Sequence, residues 1–139
     1  MSQRVLITAG AAGIGREFAR AFAANGAKVF VCDIDEKSLA ATAKEIPGIT
    51  ARRYDIGSRA EIERMVPEAV GVLGGLDVLI NNAGIAGLTL PIVDYPPDDW
   101  DKVVAVNLTA MFDVSRLAIP HLKKSKAGCI INMSSIAGR

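Results

Sequence analysis

Five short stretches of this sequence carry residue types that could do chemistry together. The first is TAGAAGIG, Thr8 to Gly15, which follows an apolar run and opens an amphipathic one. Small residues at a strand-to-helix turn let backbone amides approach an anion, and a helix N-terminus favours a phosphate there. The spacing Gly10-x-x-Gly13-x-Gly15 departs from the usual G-x-G-x-x-G fingerprint, so a tight turn with close helix–strand packing is the alternative reading. The second is Asp33, 20 residues beyond Gly13 at the end of another apolar run. At that distance a carboxylate reaches an adenosine ribose and accepts hydrogen bonds from its hydroxyls. It would also repel a 2′-phosphate, which favours NAD over NADP. The alternative is that Asp33 or Asp35 caps the next helix, a task for which Asp35 is better placed.

The third stretch is NNAG, Asn81 to Gly84, where two side-chain amides could fix a strand end and small residues leave room for a flat ligand. The fourth is Asn107, on the apolar stripe of a long helical pattern. A buried amide without partners costs on the order of 1–3 kcal/mol, so Asn107 needs a partner. Either it bonds a neighbouring backbone or it faces the site. The fifth is the pair Ser134 and Ser135, after the last apolar run. A serine nucleophile needs an adjacent base, and the one histidine, His121, lies beside lysines where a solvated role suits it. G-x-S-x-G is absent, so a serine that donates a hydrogen bond to a substrate oxygen is the better reading.

These residues need elements to position them. Five apolar runs, at 4–8, 28–32, 49–54, 77–81 and 128–133, read as strands, four of them without alternation as in a sheet covered on both faces. Helical stripes lie between them: Ile14, Phe18, Ala21 and Phe22; then Leu39, Ala43 and Ile46; then Ile62, Met65, Val66, Ala69, Val70 and Leu73. Pro67 interrupts the third stripe and predicts a kink or a late helix start. The fourth helix opens on prolines and acids at Asp94 to Trp100 and carries Trp100, Val103, Val104, Asn107, Met111 and Val114. This β-α alternation predicts a doubly wound parallel α/β sheet, with ligands at the carboxyl ends of the strands where the order reverses.

A charge of +1 with both signs interspersed gives no face for a nucleic acid. Two cysteines in apolar runs, Cys32 and Cys129, argue against a disulfide framework or a metal site and suit a reducing compartment. No secretory leader opens the sequence and no apolar run nears the ~20 residues that span a bilayer, so a cytoplasmic location without membrane contact is expected.

With these residues in view, the chain resembles the short-chain dehydrogenase/reductase family over all 139 residues. The resemblance rests on TAGAAGIG, Asp33, Asp55-Ile56, NNAG, VNL around Asn107 and INMSS, in that order. It implies a Rossmann-like domain over 1–139 that binds NAD and interconverts a secondary alcohol and a ketone. It lays Gly13, Ile14 and Gly15 along the diphosphate, with Thr8 and Gly10 in the same turn. Asp55 and Ile56 would flank the adenine, while Asn82, Ala83 and Gly84 would support the nicotinamide. Asn107 would be the proton-relay asparagine and Ser135 the catalytic serine. A homo-oligomer, dimer or tetramer, is implied too.

Two departures stand out. Ala9 occupies a position where the family has glycine, so a slightly altered turn with retained binding is expected. The family's Tyr-x-x-x-Lys motif, which supplies the general acid/base, does not occur: Ser58 stands four residues after Tyr54, and Asp99 four after Tyr95. The expectation is an N-terminal portion, catalytically incomplete, that precedes the Tyr-x-x-x-Lys helix and the last two strands. The competing expectation is a non-catalytic dinucleotide-binding or interaction module.

Overall fold

The computed structural model describes residues 2–136, in which five strands pair in parallel in the order β3-β2-β1-β4-β5. β1 (Arg4–Thr8), β2 (Lys28–Asp33) and β3 (Thr50–Arg53) step outward on one side. β4 (Val78–Asn81) then pairs with the other edge of β1, and β5 (Cys129–Asn132) follows it. The order therefore reverses between β1 and β4, and the doubly wound reading of the sequence holds.

The helices are α1 (Gly13–Ala24), α2 (Glu36–Glu45), α3 (Arg59–Leu73), α4 (Pro97–Val104) and α5 (Ala110–Leu122), with a π-helical turn over Ala105–Thr109 and a 3₁₀ turn over Ile92–Asp94. Side chains alternate across the sheet, so each strand feeds two cores. Val5, Ile7, Val29, Val31 and Ile80 pack with Ala19 and Leu39 of α1 and α2. Leu6, Phe30 and Leu79 pack with Met65 and Ala69 of α3 and Val114 of α5. Both faces are covered, which is why these strands read as continuous apolar runs. Each fully buried Val, Leu or Ile contributes about 1.5–3 kcal/mol.

Several local expectations need correction. On α1 the buried residues are Gly15 and Ala19, whereas Ile14 is 63% exposed and Ala21 is also exposed. Small residues let this helix approach the sheet, and the phenylalanines flank the contact. On α2 it is Thr42, not Ala43, that is buried, and its hydroxyl donates to the Ala11 carbonyl at 2.9 Å. The third helix begins at Arg59 without delay because Ser58 caps it, accepting the Glu61 amide at 3.4 Å. It runs through Pro67, whose exposed position lets water reach the carbonyl that the ring leaves unpaired.

From Pro97 to Leu122 the chain forms one 26-residue helical stretch that is, by length and composition alone, apolar enough to cross a bilayer, contrary to the sequence expectation. The reason is that it is apolar on two sides. Val114 and Ala118 are fully buried, while Leu108, Phe112 and Ile119 are exposed. The predicted stripe also drifts: Trp100 is 60% exposed, because the π turn inserts an extra residue before the buried face of α5 begins. Cys129 is exposed on β5 rather than covered.

Candidate functional site

Thr8, Asp33, Arg53, Asn81 and Asn132 are the last residues of their strands and form one rim. Above it a cleft of about 580 Å³ runs between the ends of β2 and β3 and the loop that follows β4. Ala9, Asp33, Asp55, Ile56, Gly84 and Val106 are among its lining residues.

The glycine-rich turn divides its work. Thr8 is buried, and its hydroxyl accepts the amides of Asn82 and Ala83, each at 3.0 Å. The Gly10 amide donates to the Cys32 carbonyl at 3.1 Å, and a Cβ at Gly10 would lie 2.7 Å from Val31. These two residues, read from the sequence as cofactor contacts, also build the turn: Thr8 ties it to the end of β4 and Gly10 to β2. A Cβ at Gly15 would run into the Ala9 carbonyl and the Asn82 amide, so only glycine fits there. Ala9 holds φ +50, in the left-handed region where glycine is at ease and alanine is strained. The turn keeps its shape despite the methyl group, at that conformational cost.

Gly13 and Ile14 are exposed at the start of α1. Its N-cap residue, Ala12, makes no side-chain cap bond, no acid stands in the first turn, and the first helical bond runs from Arg16 N–H to the Ala12 carbonyl at 3.2 Å. The amides of Gly13, Ile14 and Gly15 therefore have no partner within the helix, and the helix end is chemically suited to an anion.

Asp33 and Asp35 part company as the sequence suggested. Asp35 caps α2, accepting the Lys37 amide at 3.0 Å and the Ser38 hydroxyl at 2.7 Å; these bonds hold its carboxyl below the ordinary carboxylate range. Asp33 lines the cleft and is fixed by backbone: Oδ1 accepts from Ile34 at 2.8 Å and Asp35 at 3.3 Å, and Oδ2 accepts from Ala11 at 3.3 Å. Asp55 accepts the Gly57 amide at 2.8 Å, which shapes the turn that presents buried Ile56 to the cleft.

At the switch point the two asparagines of NNAG act separately. Asn81 is buried and donates to Asn132 Oδ1 at 2.9 Å and Ser115 Oγ at 3.1 Å. Asn82 donates to the carbonyls of Thr8 at 3.2 Å and Ala9 at 3.1 Å. Asn107 is exposed, contrary to its expected burial, since the π turn carries it off the packed face. Its amide still pairs twice, accepting the Ile85 N–H and donating to the Ile85 carbonyl, both at 2.8 Å. Ser134 and Ser135 lie beyond β5 on the same rim and are exposed. The end of INMSSIAGR, residues 137–139, lies outside the described residues. His121 sits in the last turn of α5, which leads to the opposite end of β5, so it stands at the far end of the sheet from Ser135.

Other residues at the cleft escaped the sequence reading. Arg53 is the parallel-register partner of Asp33, a neighbour that strand pairing could have found. Cys32 is buried beside Asp33, and burial pushes its thiol up to about 12. Tyr54 donates to the Glu68 carboxylate, and that bond, with burial, pushes the phenol up to about 12. A phenol held there is a poor acid or base near neutral pH.

The comparisons with known proteins agree with this geometry. The model of the short chain dehydrogenase family matches residues 3–139. D-beta-hydroxybutyrate dehydrogenase of Cupriavidus necator is 39% identical over 137 residues, which span 96% of this chain and 53% of that protein. 2-dehydro-3-deoxy-L-rhamnonate dehydrogenase (NAD(+)) of a Sphingomonas species is 32% identical over 134 residues, 96% of this chain and 54% of that protein. A solved metagenomic short-chain oxidoreductase in complex with NADP is 33% identical and superposes with a TM-score of 0.91, covering 99% of this chain and 63% of that one. The chain thus spans about half the length of the curated relatives it matches. With its parallel sheet, glycine-rich turn and rim asparagines, the chain belongs to the short-chain dehydrogenase family.

Proposed function

We propose that residues 1–139 form the NAD-binding portion of an oxidoreductase that interconverts a secondary alcohol and a ketone. One observation carries the choice of cofactor: the Asp33 carboxylate, fixed by three backbone amides, lines the cleft beside the uncapped N-terminus of α1. The residues fit the group. The amides of Gly13 to Gly15 would receive the diphosphate, Asp33 the ribose hydroxyls, and Ile56 one face of the adenine. When bound, NAD would supply the hydride acceptor for the alcohol carbon and, in its reduced form, the hydride donor for the carbonyl carbon.

The chain's own part in the chemistry is to hold and orient. Ser135 donates a hydrogen bond to the substrate oxygen from the rim. Asn107 fixes the start of the loop after NNAG through Ile85 and thereby keeps that wall of the cleft in place. Asn82 locks the glycine-rich turn to β4 so that the two walls keep their spacing. The proton donor comes from a Tyr-x-x-x-Lys pair outside these 139 residues, so residues 1–139 alone bind the cofactor without turnover. A cytoplasmic setting and a homo-oligomer, with the exposed Leu108, Phe112 and Ile119 of the long helix as one contact face, belong to the same proposal.

Calorimetric titration with NAD and NADP tests it. NAD is expected to bind more tightly, and Asp33→Asn to weaken NAD by about tenfold, the worth of a charged hydrogen bond, while narrowing the preference. Tighter binding of NADP by the wild type would reverse the cofactor assignment. Turnover of secondary alcohols by residues 1–139 alone would overturn the missing-donor part. NAD binding without turnover in the intact protein would favour the non-catalytic module.

A further inference from the structure

We infer that Tyr95 is a positioning residue for the cofactor cleft: its hydroxyl sets the height of the Gly87–Leu88 wall against which the adenosine end of a dinucleotide lies. This rests on the NAD reading above. The wall is a stretch without helix or strand, residues 82–91, yet Gly84, Ile85, Gly87 and Leu88 line the same cleft as Asp33, Asp55 and Ile56. Backbone of this kind takes its place from side chains elsewhere. Thr8 holds the amides of Asn82 and Ala83, and Asn107 holds both polar groups of Ile85. The next tie along the wall is the Leu88 N–H, which donates to the Tyr95 hydroxyl at 3.0 Å.

Gly87 sharpens the point. It holds φ +73, and a Cβ there would lie 2.5 Å from the Tyr95 hydroxyl and 2.7 Å from Val103 Cγ2. The backbone therefore rests directly on the phenol oxygen and on α4. Tyr95 is itself well placed to act as a fixed post. Its amide donates to the Ile92 carbonyl at 3.3 Å, closing the 3₁₀ turn, and two prolines follow it into α4. Leu88 is 47% exposed, so water can take over its N–H when the hydroxyl is removed. Loss of the hydroxyl should then leave the fold intact and release the wall, and the effect falls on binding.

Tyr95→Phe in the intact protein tests this with three readouts: hydrogen exchange at the Leu88 amide, dissociation constants for NAD and AMP, and kcat against KM for NAD. Exchange should rise about tenfold, both dissociation constants and KM should rise about fivefold, and kcat should stay within about twofold. Gly87→Ala should raise the same constants, and the double variant should fall short of the product of the two because both act on one wall. Unchanged exchange and dissociation constants in Tyr95→Phe, or a fall in kcat equal to the fall in kcat/KM, would overturn the assignment. A wild type that binds neither NAD nor AMP would overturn the NAD reading together with it; a wild type that binds both, with a variant that binds equally well, overturns Tyr95 alone.

Discussion

β1 and β4 are fastened at both ends, but with different chemistry. At their N-terminal ends the fastening is a closed ionic cluster. Arg4 grips Asp77 through Nε and Nη2, each at 2.8 Å, its amide adds a third bond at 2.9 Å, and Nη1 reaches the Gly74 carbonyl at 2.7 Å. Ser125, ahead of β5, donates to the same carboxylate at 2.6 Å. At their C-terminal ends the same strands are joined by neutral groups alone, the Thr8 hydroxyl and the Asn82 amide. The charged residues at that rim, Asp33 and its strand neighbour Arg53, line the cleft instead. A closed ion pair satisfies both partners, which suits the end that must only hold. Neutral ties leave the cleft's own charges for a ligand.

The hardest test of this division is Gly15→Ala. The new methyl group would press on the Ala9 carbonyl and the Asn82 amide, the two groups that join the turn to β4. Overpacking of this kind costs about 1–3 kcal/mol of stability. Because Ala9 lines the cleft, NAD affinity should fall by about 100-fold as well. Calorimetric titration with NAD and urea unfolding of the same sample check both. Unaltered NAD binding would mean that the turn is not part of the cofactor site.

Asp77→Asn should do the opposite: cost stability and spare the cleft. The Arg4 guanidinium holds the Asp77 carboxyl well below the usual carboxylate range, with Ser125 and the Arg4 amide adding to the effect. A carboxyl depressed in the folded state contributes stability that is complete above its unfolded value, about 3.9, and is lost as pH falls toward the folded value. At pH 7 the variant should lose about 2 kcal/mol, and below about pH 4 the gap to wild type should shrink. NAD affinity should not change. Urea unfolding from pH 7 down to pH 2 measures the first two expectations; a gap that stays constant with pH would show that the ion pair is not its cause.

The sequence exposed these two ends unequally. Strand order, the glycine-rich turn and Asp33 were legible because each is a local pattern: apolar runs, small residues, a fixed spacing. The division of labour inside the turn was not. Thr8 and Gly10 read as ligand contacts alone, and only the arrival of β4 and β2 shows that they also tie the turn to the sheet. Asn107 was singled out for the right reason, an amide that needs partners, but the π turn that exposes it shifts the helical register by one residue, and a 3.6-residue period hides such a shift. Arg4 and Asp77 stand 73 residues apart, so nothing local links them; only the pairing of β1 with β4 does. Tyr95 was set aside because no lysine follows it at the right spacing, and its bond to Leu88 depends on a loop with no periodicity to read.

Ala9 offers the finest test of the comparison. It is the one residue other than glycine, among those described, that holds a positive φ, and it sits at the cleft end of β1 rather than at the ionic end. The left-handed conformation costs an alanine roughly 1–2 kcal/mol, while glycine would adopt it freely but lose more conformational freedom on folding. The two effects oppose, so Ala9→Gly should stabilise the fold by only about 0.5–1 kcal/mol, a rise of a few degrees in Tm. Thermal unfolding of the two proteins with and without NAD checks it. The gain should appear in both conditions, since the Ala9 carbonyl that Asn82 grips keeps its place either way. A gain in the free protein that disappears with NAD would mean that the alanine methyl group contacts the cofactor, and the strain at this end of the sheet would then belong to binding.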